Sequence, residues 1–191
     1  MEFLDHLRPS WIVHLGHIVE FAPVSMVPGN HDARLEAYLY RQAMEVYDLD
    51  VWSLRRLLKL DELDVDLVQH PLGWTHAEAT IADGLVGRHG WLCGKTATEK
   101  MLTKRGISLI HGHLHKRSSY FSSIPALGCE LEAHGLGCAC RIDDSYPGYA
   151  TCVEWNRGFG LVTRLGDDFV FEQVPYFADR LIWRDQLFVS S

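Results

Sequence analysis

A strand, a polar turn and a helix follow one another early in the chain, and this order limits the fold more than any other feature. Val24–Val27 is an apolar run that predicts a strand, and residues 28–32 (Pro-Gly-Asn-His-Asp) supply the turn. A helix is predicted from about Ala33 to Tyr47, because apolar side chains recur there at three- and four-residue steps. A strand that runs directly into a helix is typical of α/β folds, whose sites lie at the carboxyl ends of the strands.

Three side chains of that turn have the chemistry of a site. Asn30 offers a neutral oxygen ligand, His31 a titratable imidazole, and Asp32 a carboxylate that can orient the imidazole. A helix N-cap at Asn30 or Asp32, beside an uninvolved histidine, explains the same residues equally well. The turn by itself therefore leaves a site and a cap as equal alternatives.

Two further histidine motifs follow predicted strands. Residues 111–115 (His-Gly-His-Leu-His) come directly after the apolar run 107–110, so two imidazoles spaced by two residues can point into one site. Neutral imidazoles suit Mn, Fe, Zn or Ni rather than Mg alone. The predicted strand Leu85–Arg88 likewise runs into His89-Gly90, a pair that is weak when taken alone. A solvent-exposed histidine cluster is the alternative for residues 111–115.

Composition fits one ordinary globular domain. The chain has 191 residues, 47% of them hydrophobic and 23% charged, so we expect a single domain over residues 1–191. No segment is apolar for long enough to span a membrane, and the N-terminal residues lack the pattern of a secretory signal, so we expect a cytoplasmic protein. The net charge of −7 disfavours a large basic nucleic-acid surface without excluding a nuclease.

The cysteines give little support for a zinc site. Cys129, Cys138, Cys140 and Cys152 lie in one stretch, but their spacing matches no paired Cys-x-x-Cys knuckle. We therefore expect buried thiols in strands.

The histidine motifs resemble those of calcineurin-like metallophosphoesterases. Gly-Asn-His-Asp at 29–32, His-Gly at 89–90 and Gly-His-x-His at 112–115 occur in that family's order, each after a strand. The resemblance covers residues 1 to about 120, and the strand-rich remainder is compatible with the family's second sheet. It implies a four-layer α/β/β/α sandwich with two mixed sheets, and hydrolysis of a phosphate monoester or diester.

The resemblance also implies metal ligands. Asn30, His89 and His113 would ligate one divalent transition-metal ion (Mn, Fe, Zn or Ni), and His115 would belong to a neighbouring ion. In the intact family two ions activate the attacking water and neutralise the charge of the phosphate.

Catalytic roles are implied for the two residues that follow Asn30. His31 would be the general acid or an electrostatic clamp at the scissile phosphate, with Asp32 steering its ring. The basic residues Arg88, Lys116 and Arg117 adjoin the implied ligands and could contact the phosphate. Ordinary solvated charges are the favoured alternative for all three.

The chain departs from the family pattern on the N-terminal side of the turn 28–32. No Asp-x-His precedes residue 31, so we expect the family's first strand to be missing. Residues 11–20 resemble the family's second motif, with His17 at the position of the carboxylate that bridges both ions. Because an imidazole has one free lone pair, His17 can bind one ion but bridges two poorly. A sheet-edge histidine that binds nothing is an equal alternative.

The first two predicted strands, at Trp11–Leu15 and Val24–Val27, are close together in the sequence for parallel neighbours. Only residues 21–23 separate the altered second motif from the next strand, whereas a parallel crossover usually needs about a dozen residues or more. Either the two strands are not adjacent and parallel, or a segment between them has been lost. We therefore expect a truncated, internally deleted or degenerate member of the family.

The expected function is metal-dependent hydrolysis of a phosphate-ester substrate. We expect one surviving metal position, formed by Asn30, His89 and His113, with His17 or His115 as a fourth ligand. Weak or absent activity follows, because one ion cannot clamp both the attacking and the leaving oxygen. The alternative is a non-catalytic metal-binding or interaction module with the same fold. A nuclease is a third reading, which the acidic balance disfavours.

Overall fold

A computed structural model describes the chain over residues 12–14, 24–125, 128–139, 142, 154–177 and 180–189. The chain divides into two compact units. The first contains residues up to Ile81 together with Gly87–Trp91, and the second contains Ala82–Val86 and the residues from Leu92 onward. Across the described ranges, no helix has the length and apolar character needed to cross a membrane.

A three-stranded parallel sheet lies in the first unit. Strand β1 (Ile12–His14) pairs with β2 (Val24–Met26), which pairs in turn with β3 (Val65–Leu67). Strands β1 and β2 are thus adjacent and parallel, and the alternative that they are not neighbours is wrong. Residues 15–23 connect them, which is fewer than the dozen or so usual for a parallel crossover.

The helices of the first unit are shorter than predicted. The helix expected over 33–47 consists of α1 (Ala33–Gln42) and α2 (Met44–Tyr47), separated by Ala43 with a φ of −148°. The leucine spacing also predicts a helix over 51–60, but the structure has a 3₁₀ turn (Asp50–Trp52) followed by α3 (Leu54–Leu57). Leu39 is the one buried residue of α1, so little tertiary packing holds a long helix together here.

The first unit has two described apolar clusters. Val24 and Met26 of β2 and Val65 of β3 are buried together with Leu60, and part-buried leucines pack around them. A second cluster contains Val27, which directly follows β2, and two buried alanines at 77 and 79. These clusters anchor β2, and therefore fix the position from which the polar turn 28–32 begins.

A five-stranded mixed sheet makes the protein an α/β fold with several sheets. Its order is β4-β5-β6-β8-β7, in which β6 and β8 are parallel and β7 and β8 antiparallel. Strands β4 and β5 contribute residues to both units. The five strands are β4 (Glu78–Ala82), β5 (Leu85–Arg88), β6 (Ser108–His111), β7 (Ser118–Ile124) and β8 (Cys129–Gly135).

Helix α4 (Ala97–Arg105) precedes β6 and packs against β7 and β8. The sequence predicts a helix that begins at Thr96 and ends at Gly106, and the helix does end there, because Gly106 has the left-handed conformation (φ 65°) of a C′ glycine. Thr96-x-x-Glu99 predicts a capping box at the start of this helix, and the prediction is wrong, since the Thr96 side chain makes no cap hydrogen bond. Its ψ of 17° differs from the extended backbone that directs an N-cap hydroxyl toward the helix.

Two antiparallel hairpins confirm the prediction of a strand-rich C-terminal part. Strands β9 (Gly158–Leu165) and β10 (Asp168–Pro175) form the first, and β11 (Arg180–Trp183) and β12 (Gln186–Val189) the second.

The cysteine prediction holds in part. Cys138 is a buried thiol as expected, but Cys129 at the start of β8 is exposed. Cys140 and Cys152 lie outside the described residues.

His134 on β8 is a core histidine of the second unit. Its ring stacks on Phe171 with centroids 4.0 Å apart, and Ser119 Oγ lies 3.0 Å from its Nδ1. Burial lowers the pKa of the His134 imidazole, while the Glu132 carboxylate, 3.3 Å from Nε2, acts in the opposite direction. The imidazole is therefore harder to protonate in the folded chain than in the unfolded chain.

This histidine predicts a pH-dependent stability. Its stabilising contribution is complete above the ordinary imidazole pKa of 6.5 and is lost as the pH falls from there through the lowered folded pKa. The free energy of unfolding of the metal-free protein, measured with urea, should therefore be smaller at about pH 5.5 than at about pH 7.5. His134→Gln should reduce this difference, whereas the exposed control His70→Gln should retain it. An undiminished pH dependence in His134→Gln would contradict the assignment.

Candidate metal centre

Asn30 and His89 lie side by side in the first unit, although 59 positions separate them in the sequence. The turn after β2 carries Asn30, and His89 directly follows β5. The Asn30 Oδ1 atom is 3.0 Å from His89 Nε2. His89 is buried, and Trp74 packs against its ring at 80° with the two centroids 5.6 Å apart. Two of the three ligands predicted for one ion are therefore neighbours.

Gly29 allows this approach because it has no side chain. A Cβ atom at Gly29 would lie less than 3.0 Å from three atoms of the His89 ring. The Gly29 amide also donates a hydrogen bond of 2.8 Å to Asp32 Oδ2, which closes the turn. The glycine of the motif is thus required by the packing of a residue far away in the sequence.

The geometry of the Asn30–His89 pair fits one edge of a coordination polyhedron. Ligands at about 2.1 Å from a metal ion and at right angles to each other are roughly 3.0 Å apart. The separation of Oδ1 and Nε2 is also 3.0 Å. An amide oxygen and a neutral imidazole nitrogen together suit a divalent transition metal. The same separation is that of a hydrogen bond from Nε2–H to Oδ1, so the two atoms could both face an ion only in the tautomer that carries the proton on Nδ1.

The helix-cap alternative for this turn lacks support from the side chains. Asp32 occupies the N-cap position of α1 but makes no side-chain cap hydrogen bond. Its carboxylate instead accepts a hydrogen bond from the backbone amide of Gly29, three residues earlier. Asn30 contacts His89. His31 is exposed in the turn. The steering of the His31 ring by Asp32 stays a prediction.

In the second unit, three hydrogen-bonded side chains, two of them buried, hold the start of the loop 112–115. The Nδ1–H group of His111 donates to the Gly112 carbonyl at 2.9 Å, so Nε2 of the neutral ring accepts from the Thr98 hydroxyl at 3.0 Å. The Thr98 oxygen in turn accepts from the Ser118 hydroxyl at 2.6 Å. These hydrogen bonds join α4 to the end of β6 and to β7. His111 is therefore a structural residue at the base of the loop 112–115.

The two histidines that follow have left-handed backbones and different neighbours. His113 (φ 68°) places Nε2 3.2 Å from the sulfur of Cys93. His115 (φ 55°) contacts Trp155 edge to face, with centroids 4.1 Å apart. The Asn156 amide donates to the His115 carbonyl at 3.0 Å, which anchors this part of the loop to a segment 41 positions later.

The basic residues near the motifs are engaged in specific contacts. Arg88 is buried, donates to the Thr75 carbonyl, lies 3.5 Å from Glu78, and stacks over the ring of Trp91. The expectation of a solvated charge is thus wrong for Arg88, because its guanidinium replaces water with these neighbours. Lys116 pairs with Glu154 at 2.8 Å. Arg117 donates to Asn156 Oδ1 from its side chain at 3.2 Å.

His17, the remaining ligand candidate, lies outside the described residues. Within the described ranges, no group of three or more His, Cys, Asp or Glu side chains could hold a metal ion. The Asn30–His89 and Cys93–His113 pairs each supply two ligand-type atoms.

Sequence reasoning missed three residues of these surroundings. Cys93 and Trp74 have no fixed spacing to the histidines they contact, so no local pattern indicates them. Thr98 has no sequence signal beyond its place in a helix, and its contact with His111 depends on how α4 packs.

Compared with protein-family models, curated proteins and solved structures, the chain gives no match in any of the three. The function is therefore inferred from the motifs and from the placement of their residues.

Proposed function

We propose that this chain is a metal-dependent phosphoesterase of low activity, with the metallophosphoesterase type of α/β/β/α sandwich. The observation that carries the proposal is the 3.0 Å approach of Asn30 Oδ1 to His89 Nε2, made possible by Gly29. These residues come from the two motifs that, by resemblance, share an ion. A parallel sheet and a separate mixed sheet with few helices are compatible with the proposed sandwich.

Asn30 and His89 would hold a divalent transition metal in the first unit. Further ligands implied by the resemblance are His113, His115 and His17. When bound, such an ion supplies a water of lowered pKa and positive charge that stabilises the phosphate. Arg88 is already held by Thr75 and Glu78, so we assign it no contact with the phosphate.

His31 would donate the proton to the leaving alkoxide. It is exposed and directly follows Asn30, so a phosphate ester from solution can reach it. Two hydrogen bonds with the Gly29 backbone stabilise the turn that carries His31. The Gly29 amide donates to Asp32, and the Ala33 amide donates to the Gly29 carbonyl at 3.2 Å. A turn closed in this way limits the positions that the His31 backbone can adopt.

Turnover of nitrophenyl phosphate monoester and diester in the presence of Mn²⁺ tests the proposal. We expect slow hydrolysis that His31→Ala lowers by about 100-fold or more, the usual contribution of a general acid. The metal content of His31→Ala, measured by elemental analysis, should not change. His70→Ala is the matched control, since His70 is also exposed and in the first unit but lies outside the motifs.

The outcomes separate the candidate functions. Hydrolysis that His31→Ala leaves intact would contradict the assigned acid. Metal binding without hydrolysis would favour the non-catalytic metal-binding module. An absence of bound metal in the unsubstituted protein would contradict both.

A further inference from the structure

We propose that the outer edge of β7 is an interface between two copies of this chain. Strand β7 (Ser118–Ile124) is the last strand of the five-stranded sheet, and among the described strands it pairs only with β8. One side of its backbone is therefore open to an additional strand. This inference is independent of the proposed phosphoesterase activity.

The hydrogen bonds of β8 indicate which residues of β7 face the open side. The Glu132 amide of β8 donates to Ser108 Oγ on β6 at 3.1 Å. The Leu136 amide, directly after β8, donates to the carbonyl of His111 at the end of β6. Because backbone directions alternate along a strand, the even-numbered residues of β8 face β6 and the odd-numbered residues face β7.

Three residues of β7 direct their backbone groups to the open edge. Ser119, Phe121 and Ser123 lie opposite even-numbered residues of β8, so their N–H and C=O groups point away from β8. All three residues are exposed, and Phe121 is 62% exposed. Within the described part of the chain, no further strand pairs with this edge.

Strand β7 lacks the features by which edge strands usually avoid other chains. Charged side chains and proline are common among these features. The strand reads Ser-Ser-Tyr-Phe-Ser-Ser-Ile and contains neither. Each of the other described strands with seven or more residues has a charged residue. An exposed edge of this length without such protection is expected to pair with another chain.

The sequence of β7 fits a second copy of itself. An antiparallel partner presents its residues in reverse order, and the three edge-facing residues read Ser-Phe-Ser in both directions. A two-fold axis at Phe121 places the two Phe121 residues opposite each other, and Ser119 opposite Ser123 of the second copy. These three residue pairs would exchange about six backbone hydrogen bonds. Like charges do not meet within the paired strands, because β7 is uncharged.

Pairing would also cover an exposed aromatic surface. Phe121 contacts the His134 ring edge to face with centroids 5.6 Å apart, and the His134 ring stacks on Phe171. Residues directly opposite each other in such a pair have Cα atoms about 5.5 Å apart, so the two Phe121 rings can pack together. Burial of these rings would add hydrophobic stabilisation to the hydrogen bonds.

Sedimentation velocity of the full-length protein over a range of concentrations tests the interface. We expect a dimer that dissociates on dilution. Phe121→Lys should raise the dissociation constant by about tenfold or more, because it removes the aromatic pair and places two like charges opposite each other. Val170→Lys is the matched control and should keep the dimer, since Val170 is 63% exposed and lies on β10 of the same unit.

A charge-swap pair separates a lost interface from a lost fold. Phe121→Lys and Phe121→Glu should each be mainly monomeric with an unchanged circular dichroism spectrum, whereas their equimolar mixture should form a heterodimer through the opposite charges. Unsubstituted protein that is monomeric at every concentration would overturn the proposal and leave this edge to a different partner. A dimer that Phe121→Lys does not weaken, or a mixture that does not associate, would also overturn it.

Discussion

Replacing His89 with alanine is expected to weaken binding of Mn²⁺ or Zn²⁺ by about 100-fold or more, since a ligand contributes at least as much as an outer-shell partner. The substitution removes the nitrogen that lies 3.0 Å from Asn30 Oδ1 and leaves one ligand-type atom of the pair. Isothermal titration calorimetry of the metal-free protein measures the change in metal affinity. Metal affinity that is unaffected by His89→Ala would remove this histidine from the site.

Because His89 is buried, a second pair of variants separates lost binding from lost folding. Asn30 is only half-buried, and Asn30→Ala removes the other ligand with less damage to packing. Asn30→Asp keeps an oxygen at the same reach and should retain metal binding. Equal loss in Asn30→Ala and Asn30→Asp would indicate that this oxygen is not a ligand.

Replacing Gly29 with alanine is expected to lower the free energy of unfolding by about 2 kcal/mol, the usual scale for an overpacked core position. The new Cβ would lie less than 3.0 Å from three atoms of the His89 ring, and this ring is buried and cannot easily move aside. Metal affinity should fall as well, because displacement of the ring moves Nε2 away from Asn30. Urea unfolding and metal titration measure the two effects.

A double-mutant cycle tests whether the clash with His89 causes the destabilisation by Gly29→Ala. In a His89→Ala background the ring is absent, so Gly29→Ala should cost much less, with a coupling energy of roughly 1–2 kcal/mol. Gly84→Ala is the control, since a Cβ there meets no atom within 4 Å. Any loss of stability in this variant comes from the strain of a positive φ of 70° at residue 84 itself. The Gly84 cost should be the same with and without His89. Additive costs for Gly29 and His89 would contradict the packing argument.

Elements bounded by strong local signals were predicted well. Leu85–Arg88 is a strand over the predicted residues, and α4 ends at the predicted glycine. The helix after the turn was predicted too long, because periodicity alone does not show where burial ceases to support a helix. The Thr96 capping box was wrong for a related reason, since the letters match but the backbone angle does not.

Placement of the site residues was predictable only in part. Strand pairing and the packing around β2 and β5 bring Asn30 to His89, as the motif resemblance implied. The same resemblance does not predict that Cys93 lies beside His113. That contact joins two loop segments, one of them left-handed at His113, and the surrounding fold decides their conformation. The burial of Arg88 was equally unpredictable from local sequence, since it results from contacts with Thr75, Glu78 and Trp91.

The amino-acid sequence by itself determined the order of strands, turns and helices and the ligand-type residues that end them. Those features depend on backbone propensity and side-chain spacing, which act over a few neighbouring residues. The tertiary structure decided why residue 29 is glycine, which partner each histidine has, and which thiol lies next to an imidazole. Such contacts join residues up to 59 positions apart, so they form only when strands pair and side chains pack.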